Sequence, residues 1–372
     1  MTTMTTLTHS PVSDHDIHGS AARDVADAAS TADLERLLGE ALRFAPAYEE
    51  AMSNHLPMAL HAAWELGASP QRLQALVEHE AVKLDAAPAA ATVLPAAMAE
   101  PQGWLAWRGQ QAAYPLLLGY FQRALAGAPA DEVLRAHLPA LLPGLHSFAF
   151  HGLIRCAHAD ESHRAGASTA ELAAALATWA AWFELLPPGQ AVDAAERLPL
   201  PAWGEQLRLQ TAGWRCELGM ISWRMQAASQ TALYAGLAER LAPAPTLAQR
   251  RDELISFALD AYLHSRNFTL LHLITGLRAL RVLQGLLGDD LDQRSAQALL
   301  ARAAVSGWMA GRVQWQAAPT LPDPDRLAWP SLHAAALAQH DEHAIKLVHA
   351  CWQEDGLRPD PRWRQAAALV LG

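Results

Sequence analysis

From Asp33 onward the apolar residues of this chain recur at three- and four-residue spacing almost without interruption. That period matches one face of an α-helix and leaves little else to build with. Ala and Leu dominate the apolar set and β-branched residues are sparse, which also favours helix. The pattern predicts helices over 34–44, 54–66, from 70, 111–125, 130–142, 145–159, 168–185, 207–225 and 228–241. It continues with 247–265, 269–287, 291–311, 331–339, 342–353 and 361–371. Local signals mark several ends: Asn54 as an N-cap with Pro57 at the third helical position, Gly67 as a C-cap, and Ser69-Pro70 opening the next helix.

Three Pro-rich connections, 186–203, 242–246 and 317–330, are too short and too apolar to divide the chain. No internal repeat emerges, which weighs against a solenoid. The expected architecture is all-α, a single large helical domain over 31–372 with many short-connected helices. It follows a disordered leader over 1–30 in which His9, His15 and His18 are solvated.

Charge narrows the partners. With 28 basic and 38 acidic residues the net charge is −10, and no Lys/Arg run is present. A nucleic-acid binder or a protein drawn to anionic membranes needs a basic face, so both are disfavoured. There is no signal-like start and no apolar stretch long enough to span a bilayer, so the expected compartment is the cytoplasm. Cys156, Cys216 and Cys351 are far apart and lie among apolar residues, which reads as buried inert thiols. Small neutral or aromatic molecules remain as partners; oligomeric state is not fixed by these features.

The chemistry-bearing motifs are mostly absent. The chain has no G-x-G-x-x-G after a strand, no P-loop, no H-E-x-x-H, no G-x-S-x-G and no paired E-x-x-H helices. What remains is histidine. His55, His151, His272 and His343 each stand in the least polar part of a helical segment. Lys346 lies three residues after His343 and so shares its face. One histidine on an apolar helix is more often a core residue than a ligand. Four such residues together point to a transition metal, because neutral imidazole is a good donor to Fe, Zn, Cu and Ni. His61 is turned away from the His55 face, His158 shares the His151 face, and His340 and His349 drift off the Lys346 face toward surface or supporting positions. Arg155, one turn after His151, suits a carboxylate pair better than a substrate, and Phe150 with one or more Trp suits a pocket wall.

Asn54-His55-Leu56-Pro57-Met58, Phe150-His151-Gly152-Leu153-Ile154-Arg155, His272-Leu273-Ile274-Thr275-Gly276 and Asp341-Glu342-His343-Ala344-Ile345-Lys346-Leu347 come in that order. In this the chain resembles the questin oxidase-like family over about 40–355. The resemblance implies a non-haem, mononuclear iron oxygenase acting with dioxygen on an aromatic polyketide-like substrate such as a quinone or anthraquinone. Its ligands would be His55, His151, His272, His343 and Lys346, the last carboxylated on its amine and catalytic. Asn54, His61, Phe150, Arg155 and His158 would support the metal or line the pocket. The reaction would be Baeyer–Villiger-like insertion or ring-cleaving dioxygenation, with NADPH allowed as reductant. Fungal members often carry two further histidines after the first motif, where this chain has Met58 and Ala59. Two other readings stand beside this one: a metal-free NADPH-dependent oxidoreductase of the same fold, and a non-catalytic helical ligand-binding protein.

Overall fold

The computed structural model describes residues 28–372, apart from 50, 101, 289, 290 and 318. Among them are sixteen α-helices. The first eight are α1 (Thr31–Ala41), α2 (Leu56–Glu65), α3 (Pro70–Ala81), α4 (Tyr114–Gly127), α5 (Ala130–Leu141), α6 (His151–Arg164), α7 (Ala170–Ala181) and α8 (Leu200–Thr211). The rest are α9 (Ile221–Ser229), α10 (Ala232–Leu237), α11 (Leu247–Ser265), α12 (Phe268–Gln284), α13 (Gln293–Gly311), α14 (Trp329–Leu337), α15 (Glu342–Leu357) and α16 (Pro361–Leu371). The one described sheet is a two-residue antiparallel pair, β1 (Ala47–Tyr48) with β2 (Met52–Ser53). The all-α expectation holds.

The arrangement that positions the site is a closed ring of four helices. α2 packs on α6 and α15, and α12 packs on the same two from the other side. Around this ring lie α1 and α3 against α2, α7 against α6, α13 and α11 against α12, and α16 against α15. Every one of the four inner helices is thus covered outwardly, so polar side chains on their inner faces are enclosed by protein.

Helix boundaries depart from the periodic reading where the backbone, not the pattern, decides. α6 starts at His151 rather than 145, because Phe148, Ala149 and Phe150 have positive φ of 54°, 53° and 70°. Left-handed backbone at three consecutive non-glycine residues is costly and ends any right-handed helix there. The single helix expected over 207–225 is two, α8 and α9, separated by a segment holding Gly213 and Gly219. α8 opens at Leu200 with Pro201 in its first turn, inside what reads as the 186–203 connection. α2 begins one residue later than expected, with His55 at the N-cap and Pro57 in the second helical position. Gly67, at φ 90°, closes α2 as expected. Ala29 is buried and Ser30 caps α1, so the body begins before residue 31. The remainder of the expected leader, with His9, His15 and His18, lies outside the described residues. No described helix is long and apolar enough to cross a membrane. Cys156 and Cys351 are buried, whereas Cys216 is only half-buried because it sits in the α8–α9 connection.

Close approach at the start of α6 requires Gly152. A Cβ there would lie 2.7 Å from Trp179 Cδ1, and Trp179 is fixed by its indole N–H donating to Gly144 O at 3.0 Å. Gly152→Ala is expected to destabilise the fold by about 1–3 kcal/mol, the usual cost of overpacking. A shift in the urea midpoint would measure it; an unchanged midpoint would mean that α6 and α7 part without strain.

Candidate metal centre

Four imidazoles close a circuit inside the helix ring. His55 stacks on His151 at 4.6 Å between ring centroids, His151 meets His272 at 5.0 Å, His272 meets His343 at 5.2 Å, and His343 returns to His55 at 4.4 Å. Each comes from a different helix start: His55 is the N-cap of α2, His151 the first residue of α6, His272 the fifth of α12 and His343 the second of α15. Asn54 builds the corner that presents His55. Its amide donates to Ala45 O and its Oδ1 accepts from Leu56 N, both at 3.0 Å.

Every ring has its Nδ1 engaged. His151 Nδ1 faces Phe148 O at 2.6 Å, His272 Nδ1 faces Phe268 O at 2.9 Å, and His55 Nδ1 faces Glu342 Oε1 at 3.2 Å. His343 Nδ1 lies 3.4 Å from Asp341 Oδ1. Carbonyls and carboxylates only accept, so each Nδ1 carries the proton and each Nε2 carries a lone pair. This fixes the tautomer and orientation that metal-bound histidines need. His151 Nε2 is buried with no hydrogen-bond partner among the described residues. One nitrogen from each of His55, His151 and His343 lies within 4.8 Å of the others. Burial depresses the basicity of His55, His151, His272 and His343, and the Lys346 charge adds to it. Neutral imidazoles are the form that binds metal.

Lys346 is 2% exposed. No hydrogen bond or ion pair among the described residues holds its ammonium, and burial pulls its pKa down to about 8. A family model described as questin oxidase-like matches residues 52–351, a span containing all four histidines and this lysine.

The chain belongs to the questin oxidase-like family. Membership in this family makes it a protein of an oxidase, hence oxidoreductase, lineage. No curated protein matches the chain.

For this family member, several residues sit differently from the sequence reading. Phe150 does not face the histidines: it is core, and a Cβ on Gly276 would meet its Cδ1 at 2.9 Å. Its left-handed backbone turns the ring away. The aromatics flanking the cluster are Phe148, 5.7 Å from His151 and stacked on Trp182, and Phe268, 4.8 Å from His272 and 4.6 Å from His343. Phe268 is 50% exposed and marks the solvent side. It precedes His272 by four residues, so one-turn spacing could have found it. Arg155 pairs with buried Glu171 through two bonds of 2.6 and 2.9 Å, a carboxylate pair as its position suggested. His61 and His158 do not reach the four-ring circuit. They bond each other, Nδ1 to Nδ1, at 2.9 Å. His349, read as surface or supporting, is fully buried beside them, because α2 and α6 bring His61 and His158 against its ring.

Glu342 is the residue that sequence reasoning passed over. Besides holding His55, its Oε1 accepts from Lys83 Nζ at 3.4 Å, and Lys83 reaches buried Glu80 at 2.9 Å. Burial opposes the Lys83 charge, but Glu80 and Glu342 keep its pKa above the ordinary value. Glu342 also offsets the unfavourable helix-dipole end at which His55 sits. Its signal was present: it lies four residues before Lys346, on the same face. A cleft of about 810 Å³ between α8, α11 and α16 contains none of these residues.

The buried lysine has a consequence for stability. The unfolded chain keeps this proton up to the ordinary 10.5, whereas the folded chain loses it near 8. The penalty of burying the ammonium is therefore complete below pH 8 and fades as pH rises toward 10.5. In metal-free protein, Lys346→Met is expected to be more stable than the parent by about 3 kcal/mol at pH 7, with the gap closing by pH 10.5. Urea unfolding of both proteins at pH 7, 9 and 10.5 checks this; a pH-independent gap would mean that folding leaves the pKa of this amine unchanged.

Proposed function

We propose that this protein is a non-haem iron oxygenase acting on an aromatic polyketide-like molecule of the quinone or anthraquinone type. The observation that carries the reading is the circuit of four enclosed imidazoles, each with Nδ1 tied down and one Nε2 left buried without a partner. His55, His151, His272 and His343 would hold the iron, with Lys346 as the fifth donor. Non-haem iron supplies the one-electron chemistry that lets dioxygen react with an aromatic ring.

The chain's own groups have separable tasks. Phe148 O, Phe268 O, Glu342 and Asp341 keep the rings aimed. An ammonium cannot donate to a cation, so Lys346 must lose its proton. Burial lowers the cost of that loss. A neutral amine can add to carbon dioxide, forming an N–C bond and releasing one proton, which leaves an anionic oxygen donor. The exposed face of Phe268 offers an aromatic substrate an apolar platform beside His272 and His343.

The test is metal analysis of the purified protein together with dioxygen uptake over a quinone panel. Iron that is lost in His151→Ala/His272→Ala, with uptake lost in parallel, is the expected result. Full turnover by iron-free protein, with or without NADPH, would overturn the reading. Labelled dioxygen then separates the chemistries, since ring-cleaving dioxygenation places both oxygen atoms in product and Baeyer–Villiger-like insertion places one.

A further inference from the structure

Beneath the four-ring circuit the same four helices carry a second polar tier. His61 follows His55 by six residues on α2, His158 follows His151 by seven on α6, and His349 follows His343 by six on α15. On α12 the matching place, six after His272, is Arg278. Six residues of helix advance about 9 Å, so the second tier lies deeper in the ring. His61, His158 and His349 are all at most 5% exposed. Their rings form a triangle with centroid separations of 5.1, 5.4 and 5.7 Å.

A packed core does not need three histidines here. Leucine would fill the space without a polar atom to satisfy. The His61–His158 bond accounts for one nitrogen of each, but neither nitrogen of His349 has a partner. A carboxylate completes the set. Glu161, one turn after His158, has an oxygen within 4.8 Å of donor nitrogens on both His61 and His158. Arg278 grips that carboxylate with both terminal nitrogens, and Gln353 anchors the guanidinium in turn. A carboxylate in an arginine fork can still give a lone pair to a cation. Burial also keeps His158 and His349 in the neutral, donating form.

We infer that His61, His158 and Glu161, with His349 as fourth donor, form a second metal site, distinct from the one above it. Three imidazoles and one carboxylate suit a borderline divalent ion such as Zn²⁺ or Fe²⁺. Bound there, the ion would displace the proton shared by His61 and His158 and tie α2, α6 and α15 together. This inference does not depend on the upper site being catalytic.

The full-length protein, stripped with a chelator and titrated with Zn²⁺, provides the test by metal analysis after desalting. The expected result is two ions per chain for the parent, one for His158→Gln, and one for His151→Ala/His272→Ala. Glu161→Gln keeps the shape and a hydrogen bond to Arg278, so it covers the case in which His158→Gln fails to fold. It should weaken one of the two binding events at least tenfold. If His158→Gln and Glu161→Gln bind as much Zn²⁺ as tightly as the parent, the tier is only a hydrogen-bonded core and the inference falls. Loss of the single ion of the parent in the upper-site variant alone would also sink it while leaving the proposed function standing. Loss in the lower-site variants alone would support it and count against the upper site.

Discussion

Lys346→Ala is expected to abolish dioxygen uptake while leaving the helical fold in place. Replacing a residue that merely supports a metal ligand already costs about 10–100-fold, so removing a donor should cost on the order of a thousandfold or more. Two stability effects nearly cancel at pH 7. Truncating a buried side chain of this size to alanine costs about 2–5 kcal/mol through the cavity left behind. Removing a buried ammonium whose pKa has fallen to about 8 returns about 3 kcal/mol. Helical circular dichroism should therefore match the parent, and iron content should fall. Lys346→Arg should be equally inactive, since a guanidinium can neither lose its proton nor form a carbamate. Uptake within tenfold of the parent in either variant would remove Lys346 from the site.

Glu171→Ala is expected to lower stability by about 3–5 kcal/mol without touching the histidines directly. Arg155 and Glu171 are 3% and 4% exposed, bonded through two contacts, and Thr178 accepts a third from the guanidinium. Removing the carboxylate leaves an arginine charge buried and unpaired, which is the costly half of breaking such a pair. Arg155→Met/Glu171→Leu, which removes both charges, should recover most of the loss. The comparison is made by thermal or urea unfolding. A single variant no less stable than the double would mean that solvent reaches the guanidinium and that α6 and α7 are held by apolar packing alone.

The helical class was legible because it depends on local periodicity. Three- and four-residue apolar spacing, Ser69-Pro70 at one helix start and Gly67 at one helix end act within a turn or two, so neighbours in sequence suffice to read them. The same holds for His55, His151, His272 and His343, each conspicuous in an apolar segment, and for the Lys346 pairing on one face. Reading failed where backbone strain or distant chain decided the outcome. Nothing in Phe148-Ala149-Phe150 announces three left-handed residues, yet that turn starts α6 at His151 and sends the Phe150 ring into the core. His349 looked peripheral because its own helix alone was considered. α2 and α6 bring His61 and His158 to it, so its ring is enclosed by helices distant in sequence. Glu342 was visible as a neighbour of Lys346 but acquired its task only when α2 delivered His55 to its carboxylate. The sequence by itself determined which residues could be donors, through side-chain chemistry and helical register. Only the tertiary structure decided which donors meet, because the cyclic packing of α2, α6, α12 and α15 sets the direction in which every inward face points.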